Sequence, residues 1–200
     1  TLADGNKITG STFLGQAGQI QVYAPLYANK GGISGILTLT QNDLHSIAGD
    51  LDWYKPSSSA DLVYAAGFGP LTTEAQGGIY HKTAATERVL SLGLTTDAPS
   101  NVSVTFTPEG DDSAFSQDAT ITSSAKITLG TTPAGKRISL TSINGITGGF
   151  TGEFTVIGTT APLNRRAVFN GQIVTTAEGT KGYGFFLLPQ MPTGKQNVST

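Results

Sequence analysis

Asp50 and Asp52 are the first residues in this chain whose type and spacing could do chemistry. On an extended strand, side chains two apart share a face and lie about 7 Å from each other. Paired carboxyl groups near that separation can hydrolyse glycosides, one as acid and the other as base or nucleophile. Neighbours on one strand rarely flank a scissile bond, however, and a solvated strand face accounts for the pair equally well. A second acidic group, Glu109, Asp111, Asp112 and Asp118, supplies oxygen ligands of the kind that hold extracellular Ca²⁺ weakly. It lacks the glycine and terminal glutamate of an EF-hand loop, so weak calcium is the one cofactor in prospect. His45 and His81 are the only histidines and form no helical ligand pair, so surface or edge positions are expected. No Gly-x-Ser-x-Gly elbow is present. Gly182-Tyr183-Gly184 is flanked by strand-like residues instead of the helix start that binds phosphate. The chemistry on offer therefore favours binding over catalysis, and the protein is not expected to be an enzyme. Tyr54, Tyr64 and Tyr80 are the candidate ligand residues, because tyrosine combines an apolar face suited to sugar stacking with a polar edge. Trp53 shares parity with Ile47 and Leu51 and is assigned to the core, whereas Tyr54 has the opposite parity and faces outward.

These residues must be positioned by strands. The 200 residues include 29 Thr, 26 Gly and 16 Ser but one Met and one Trp. Thr favours strands and Gly favours turns, and helix formers are scarce. Cys is absent, which excludes disulfides and thiolate zinc sites. Twelve basic against 14 acidic residues leave no cationic surplus for nucleic acid, and Lys136-Arg137 and Arg165-Arg166 are too small a patch to supply one. No apolar run approaches the roughly 18 residues of a membrane helix, so no membrane insertion is expected.

Period-two alternation recurs along the chain between short turn signals. Residues 8–14 and Ile20-Gln21-Val22-Tyr23-Ala24 flank a Gly/Gln turn and predict a hairpin. Leu2-Ala3-Asp4-Gly5 before them predicts a turn centred on Asp4-Gly5, with the incoming strand reduced to Thr1-Leu2. Ile33, Gly35, Leu37 and Leu39 share one face, as do Ile47, Gly49, Leu51 and Trp53. Val102, Val104 and Phe106 alternate with hydroxyl residues, and so do Phe150, Gly152, Phe154 and Val156 with polar ones. Asn144-Gly145 is the strongest tight-hairpin signal. Only residues 59–66 and 83–90 could form helical turns.

Gly31-Gly32-Ile33-Ser34-Gly35-Ile36-Leu37 matches Gly148-Gly149-Phe150-Thr151-Gly152-Glu153-Phe154, and each is followed by a strand carrying an internal glycine, Gly49 or Gly171. Glycine within a strand marks a bend or close backbone approach, and repeated bends curl a sheet. The expectation is one all-β unit over 1–200, an antiparallel, glycine-bent barrel, closed or nearly so, with possible half-repeats 1–95 and 96–191 and a flexible tail at 192–200. A two-sheet sandwich is the alternative.

The order of these motifs resembles a known repetitive β-rich region of large secreted and surface proteins of Verrucomicrobia and Planctomycetes. Carrying the resemblance are Thr1-Leu2-Ala3-Asp4-Gly5, Val22-Tyr23-Ala24-Pro25-Leu26-Tyr27, Gly49-Asp50-Leu51-Asp52-Trp53-Tyr54-Lys55-Pro56, Arg165-Arg166-Ala167-Val168-Phe169-Asn170-Gly171 and Gly182-Tyr183-Gly184-Phe185-Phe186-Leu187. The likeness fades across residues 95–135. It implies export to the cell surface or beyond, and a place in a longer modular protein, and it transfers no catalytic residue.

Three functions follow as expectations. The first is a non-enzymatic extracellular structural or adhesive module that self-associates, or meets neighbouring modules, through strand edges. The second is a carbohydrate- or ligand-binding module using exposed aromatics. The third is a glycosidase-like enzyme built on Asp50 and Asp52.

Overall fold

In a computed structural model, residues 2–41, 45–61, 64–82, 101–108, 113–121, 127–157, 164–176 and 179–189 are described. Among them there are strands and turns and no helix. The first antiparallel sheet is a meander of β1 (Gln19–Leu26), β2 (Gly31–Thr40), β3 (Ser46–Lys55) and β4 (Phe68–Gly77). A three-stranded sheet follows, from β5 (Val102–Phe106), β6 (Phe115–Ile121) and β7 (Ile127–Leu129). The last is again a four-stranded meander, of β8 (Lys136–Ile143), β9 (Gly149–Val156), β10 (Arg165–Thr176) and β11 (Gly179–Phe186). The all-β antiparallel class is as the alternation requires. No sheet closes on itself among the described residues.

Backbone contacts divide the chain into two units. One comprises Thr1–Ile79 with Val174–Gly179, the other Tyr80–Ile173 with Thr180–Thr200. The boundary expected at 95/96, the helical candidate 83–90 and the tail 192–200 lie outside the described residues. Residues 59–66, the other helical candidate, contain turns at both ends where they are described.

In the first unit, Ala24, Ile33 and Trp53 are buried, with Leu2, Ile8, Leu26, Leu51, Tyr64 and Phe68 packed around them. Trp53 meets Phe68 edge-on at 4.7 Å between ring centres, the geometry that ring quadrupoles favour. In the second unit, Phe106 of β5 packs on Phe154 and Phe169 of the β8–β11 sheet at 4.9 and 5.1 Å. Two sheets thus share one aromatic core there.

Both meanders use the same device between their second and third strands. Gly35 faces Leu51 while Leu37 faces Gly49, and Phe150 faces Gly171 while Gly152 faces Phe169. One large side chain lies over one glycine in each pair. A Cβ on Gly171 would fall within the Phe150 ring, and one on Gly152 within the Phe169 ring. The registers differ, however. Gly49 lies opposite the residue two positions after Gly35, and Gly171 opposite the residue two positions before Gly152.

Two local expectations need correction. Residues 8–14 form no strand: among the described residues their one pairing is a single bridge between Leu14 and Ile20. Neither face of that segment carries enough apolar surface to fix a register; Ile8 turns into the core while residues 9–14 remain exposed. Asn144-Gly145 does join β8 to β9, but through a five-residue loop, not a two-residue turn. There the Asn144 side chain accepts from the amides of Ile146 and Thr147, and the left-handed position belongs to Gly148, at φ 75°.

Candidate functional site

Three places in the molecule bring polar or aromatic groups together. The first is a buried polar chain in the first unit. The Asp4-Gly5 turn forms as the sequence indicates, with Leu2 and Asn6 bonded across it at 2.9 Å and Gly5 at φ 87°. Its carboxylate does not face water. Asp4 is 3% exposed and accepts a 2.5 Å hydrogen bond from the Tyr27 hydroxyl, which in turn accepts from the Trp53 indole at 3.0 Å. A bulge between Trp53 and Lys55 turns both side chains inward. The Lys55 ammonium, 2% exposed, pairs with Asp61, lies 4.0 Å from Asp4 and sits over the Tyr27 ring at 4.5 Å. Burial pushes the Asp4 carboxyl up, but hydrogen bonds from Tyr27 and Asn6 and the charge of Lys55 outweigh it and hold the group below its ordinary value. Burial and the bond to Asp4 push the Tyr27 hydroxyl well above the usual phenol range.

Tyr27, Ala28 and Asn29 all take left-handed conformations, with φ between 54° and 65°. Each such residue costs on the order of 1 kcal/mol or more and persists only where its surroundings over-determine it. Here the Tyr27 hydroxyl is held from both sides. Asp4, Tyr27, Trp53, Lys55 and Asp61 bond to one another, so the cluster ties four segments together, with Asp61 alone partly exposed. The sequence offered little sign of it. Lysine is almost never fully buried, and Asp4 sits in a turn motif that ordinarily faces water.

The second place is the outer face of the β1–β4 sheet. Asp50 and Asp52 are exposed and point the same way, as their spacing requires. Asp50 stands directly opposite Glu74 and Asp52 opposite Thr72. Thr72 donates to Asp52 at 2.7 Å, and Gln76 to Glu74 at 2.6 Å. Tyr23, 73% exposed, faces Ser34, which faces Asp52; Tyr54, 43% exposed, faces Gly32. The two tyrosines stand on either side of β2, two strand spacings apart and two residues offset, or about 12 Å, above a floor kept low by Gly32 and Ser34. Tyr23 was legible from its parity against Ile20 and Val22, and Glu74 only from the pairing of β4.

The other candidates lie elsewhere. Tyr64 packs edge-on against Trp53 and Phe68 on the inner side of the sheet whose outer side bears Tyr54. Tyr80 belongs to the second unit, where its hydroxyl donates to the Gly145 carbonyl at 3.0 Å and burial pushes its pKa up. Asp118 is on the exposed face of β6, opposite Ser103. Glu109, Asp111 and Asp112 lie outside the described residues. His45, at φ 43°, and His81 are both exposed. No group of three acidic or histidine side chains able to hold a metal occurs among the described residues.

The third place is a cleft of about 320 Å³ in the second unit. Its walls are β5 with Thr107 on one side and Gly182, Gly184, Phe185 and Phe186 of β11 on the other, floored by Phe150, Phe169 and Ile173. Successive residues of a strand point to opposite faces, so a wall that includes every residue of β5 is that strand's edge. The lining carries no charged side chain. Comparison with protein-family models, curated proteins and solved structures finds no match for the chain.

Proposed function

We propose that the protein is a non-enzymatic structural or adhesive module of an exported, cell-surface or extracellular protein, and that it associates with copies of itself or with neighbouring modules through strand edges. The observation that carries this is the set of open sheets: β4, β5 and β11 are terminal strands in theirs. A terminal strand offers a ready backbone template for another chain. The extracellular setting rests on the motif resemblance. In the second unit a two-sheet sandwich is favoured over a closed barrel, because Phe106 and Phe154 join two separate sheets across one core. The test is light scattering on the intact chain across concentration. A mass that rises with concentration and falls when Lys is placed on the β5 edge is expected; a monomer at every concentration, with no affinity for a tandem copy, refutes the proposal.

A second function is favoured by Tyr23 and Tyr54, which flank a shallow floor beside Asp50, Asp52 and Glu74. Aromatic faces next to hydrogen-bonding carboxylates suit a sugar ring. Retention on immobilised glycans that is lost in Tyr54→Ala and Tyr23→Ala supports it, and no retention on any glycan removes it.

A further inference from the structure

We propose that the cleft between β5 and β11 receives residues 8–14 of a second copy as an added strand, with Phe13 as its anchor. This rests on the self-association proposed above and names its two surfaces. On the receiving side, β5 and β11 end their sheets and face one apolar cleft, into which Phe106, Phe150 and Phe169 project. On the β11 wall Gly182 and Gly184 expose backbone beside the rings of Phe185 and Phe186. A cleft bounded by two strand edges has the geometry that β-strand addition requires: backbone bonds to an edge and alternate side chains in pockets.

On the donating side, Phe13 is 95% exposed and Leu14 50% exposed. The segment before Leu14 belongs to no sheet, so its backbone groups are available for a ladder. Residues 8–14 carry no charge, and neither does the cleft, so no charge loses its hydration on docking. Alternation puts Thr9, Ser11 and Phe13 on one side, so Phe13 is the one large apolar group of that side and the one suited to the aromatic cleft. Donor and acceptor are different surfaces, so the contact is head-to-tail and builds open chains unless the rotation closes a ring.

The test uses the intact protein, Phe13→Asp, Thr105→Lys on the β5 edge, and a labelled peptide of residues 6–15. Both positions are exposed, so unchanged melting temperatures confirm that the variants fold. The expected result is wild-type assembly by light scattering, monomers for both variants, and peptide binding that weakens at least tenfold when the peptide carries Phe13→Asp. Assembly by Phe13→Asp equal to wild type overturns this docking mode while leaving edge association standing; a wild-type monomer overturns both. Failure of the peptide to bind also overturns it, and shows that the cleft is closed by the chain itself.

Discussion

Replacing Asp4 by Ala probes the buried chain in the first unit most directly. The carboxylate receives a charge-assisted bond from Tyr27 and shares the field of Lys55 with Asp61. A hydrogen bond to a charged group contributes about 1.5–3 kcal/mol. Removing one partner of a buried ion pair costs about 3–5 kcal/mol when the other is stranded. Lys55 is not stranded here, because Asp61 remains beside it, so the lower range applies and Asp4→Ala should cost about 2–3 kcal/mol. At about 2–4 °C per kcal/mol for a chain of this size, melting should fall by about 4–12 °C. Trp53 is the only tryptophan and donates to the same Tyr27 hydroxyl, so its fluorescence reports on this cluster alone. Asp4→Ala should shift that emission in the folded state, before any unfolding. Lys55→Met, which leaves the buried Asp4 carboxylate without its cation, should cost at least as much as Asp4→Ala, and the double variant less than the sum of the two. A change under about 1 °C with unaltered emission would refute the reasoning, since the cluster would then hold nothing together.

Trp53→Ala should cost about 3–5 kcal/mol in urea denaturation, while Tyr54→Ala, on the outer face, should stay within about 0.5 kcal/mol; equal losses contradict the register of β3. Gly171→Ala places a methyl group in the Phe150 ring and should cost about 1–3 kcal/mol as overpacking, part of it regained by adding Phe150→Leu. The Tyr27 hydroxyl is raised in the fold, so its contribution is fully present below the unfolded phenol value of about 10 and is lost as pH rises towards the folded value. Melting should therefore fall above about pH 10, and less steeply in Tyr27→Phe. Asp4 is lowered in the fold, so its contribution is present above the unfolded carboxyl value of about 3.9 and is lost as pH falls through the folded one. Below about pH 4 the wild type should lose its advantage over Asp4→Ala.

The strands of the two meanders were legible because one face of each is buried. Ile33, Leu37, Leu51 and Trp53 repeat with period two, and burial follows them. Residues 8–14 alternate too, yet form no strand, because alternation predicts pairing only where it divides apolar from polar. The Asn144 loop was misjudged in length for a different reason. Its side chain caps two amides, and that closes a wider turn as well as a tight one. The outer-face residues Tyr23, Asp50, Asp52 and Tyr54 could be assigned by parity, but their arrangement needed the pairing of four strands. Least legible was the Asp4 cluster, which joins Asp4 to Tyr27, 23 positions away, and to Lys55, 51 positions away. No local pattern encodes such contacts, and a buried lysine runs against composition.

The glycine pairs show what the two meanders share. Sequence alignment equates Gly35 with Gly152, which predicts that Gly49 and Gly171 also coincide, but the pairing places them on opposite sides of that anchor. What recurs is a rule of packing. In two adjacent pairs on the core side, a large residue on one strand covers a glycine on the other, and the direction reverses from one pair to the next. A crossed arrangement of this kind lets two strands bend towards each other while each side chain fills the space the opposing glycine leaves, so no void opens. Reversing the order of the two pairs preserves the volume, which is why Leu37 and Leu51 can serve one hairpin and Phe150 and Phe169 the other. The larger rings of the second hairpin also reach the neighbouring sheet: Phe169 meets Phe106 at 5.1 Å. Phenylalanine in place of leucine on the same crossed frame thus goes with a hairpin that organises a two-sheet core, whereas Leu2, Ile8 and Tyr64 from outside the strands cover the first.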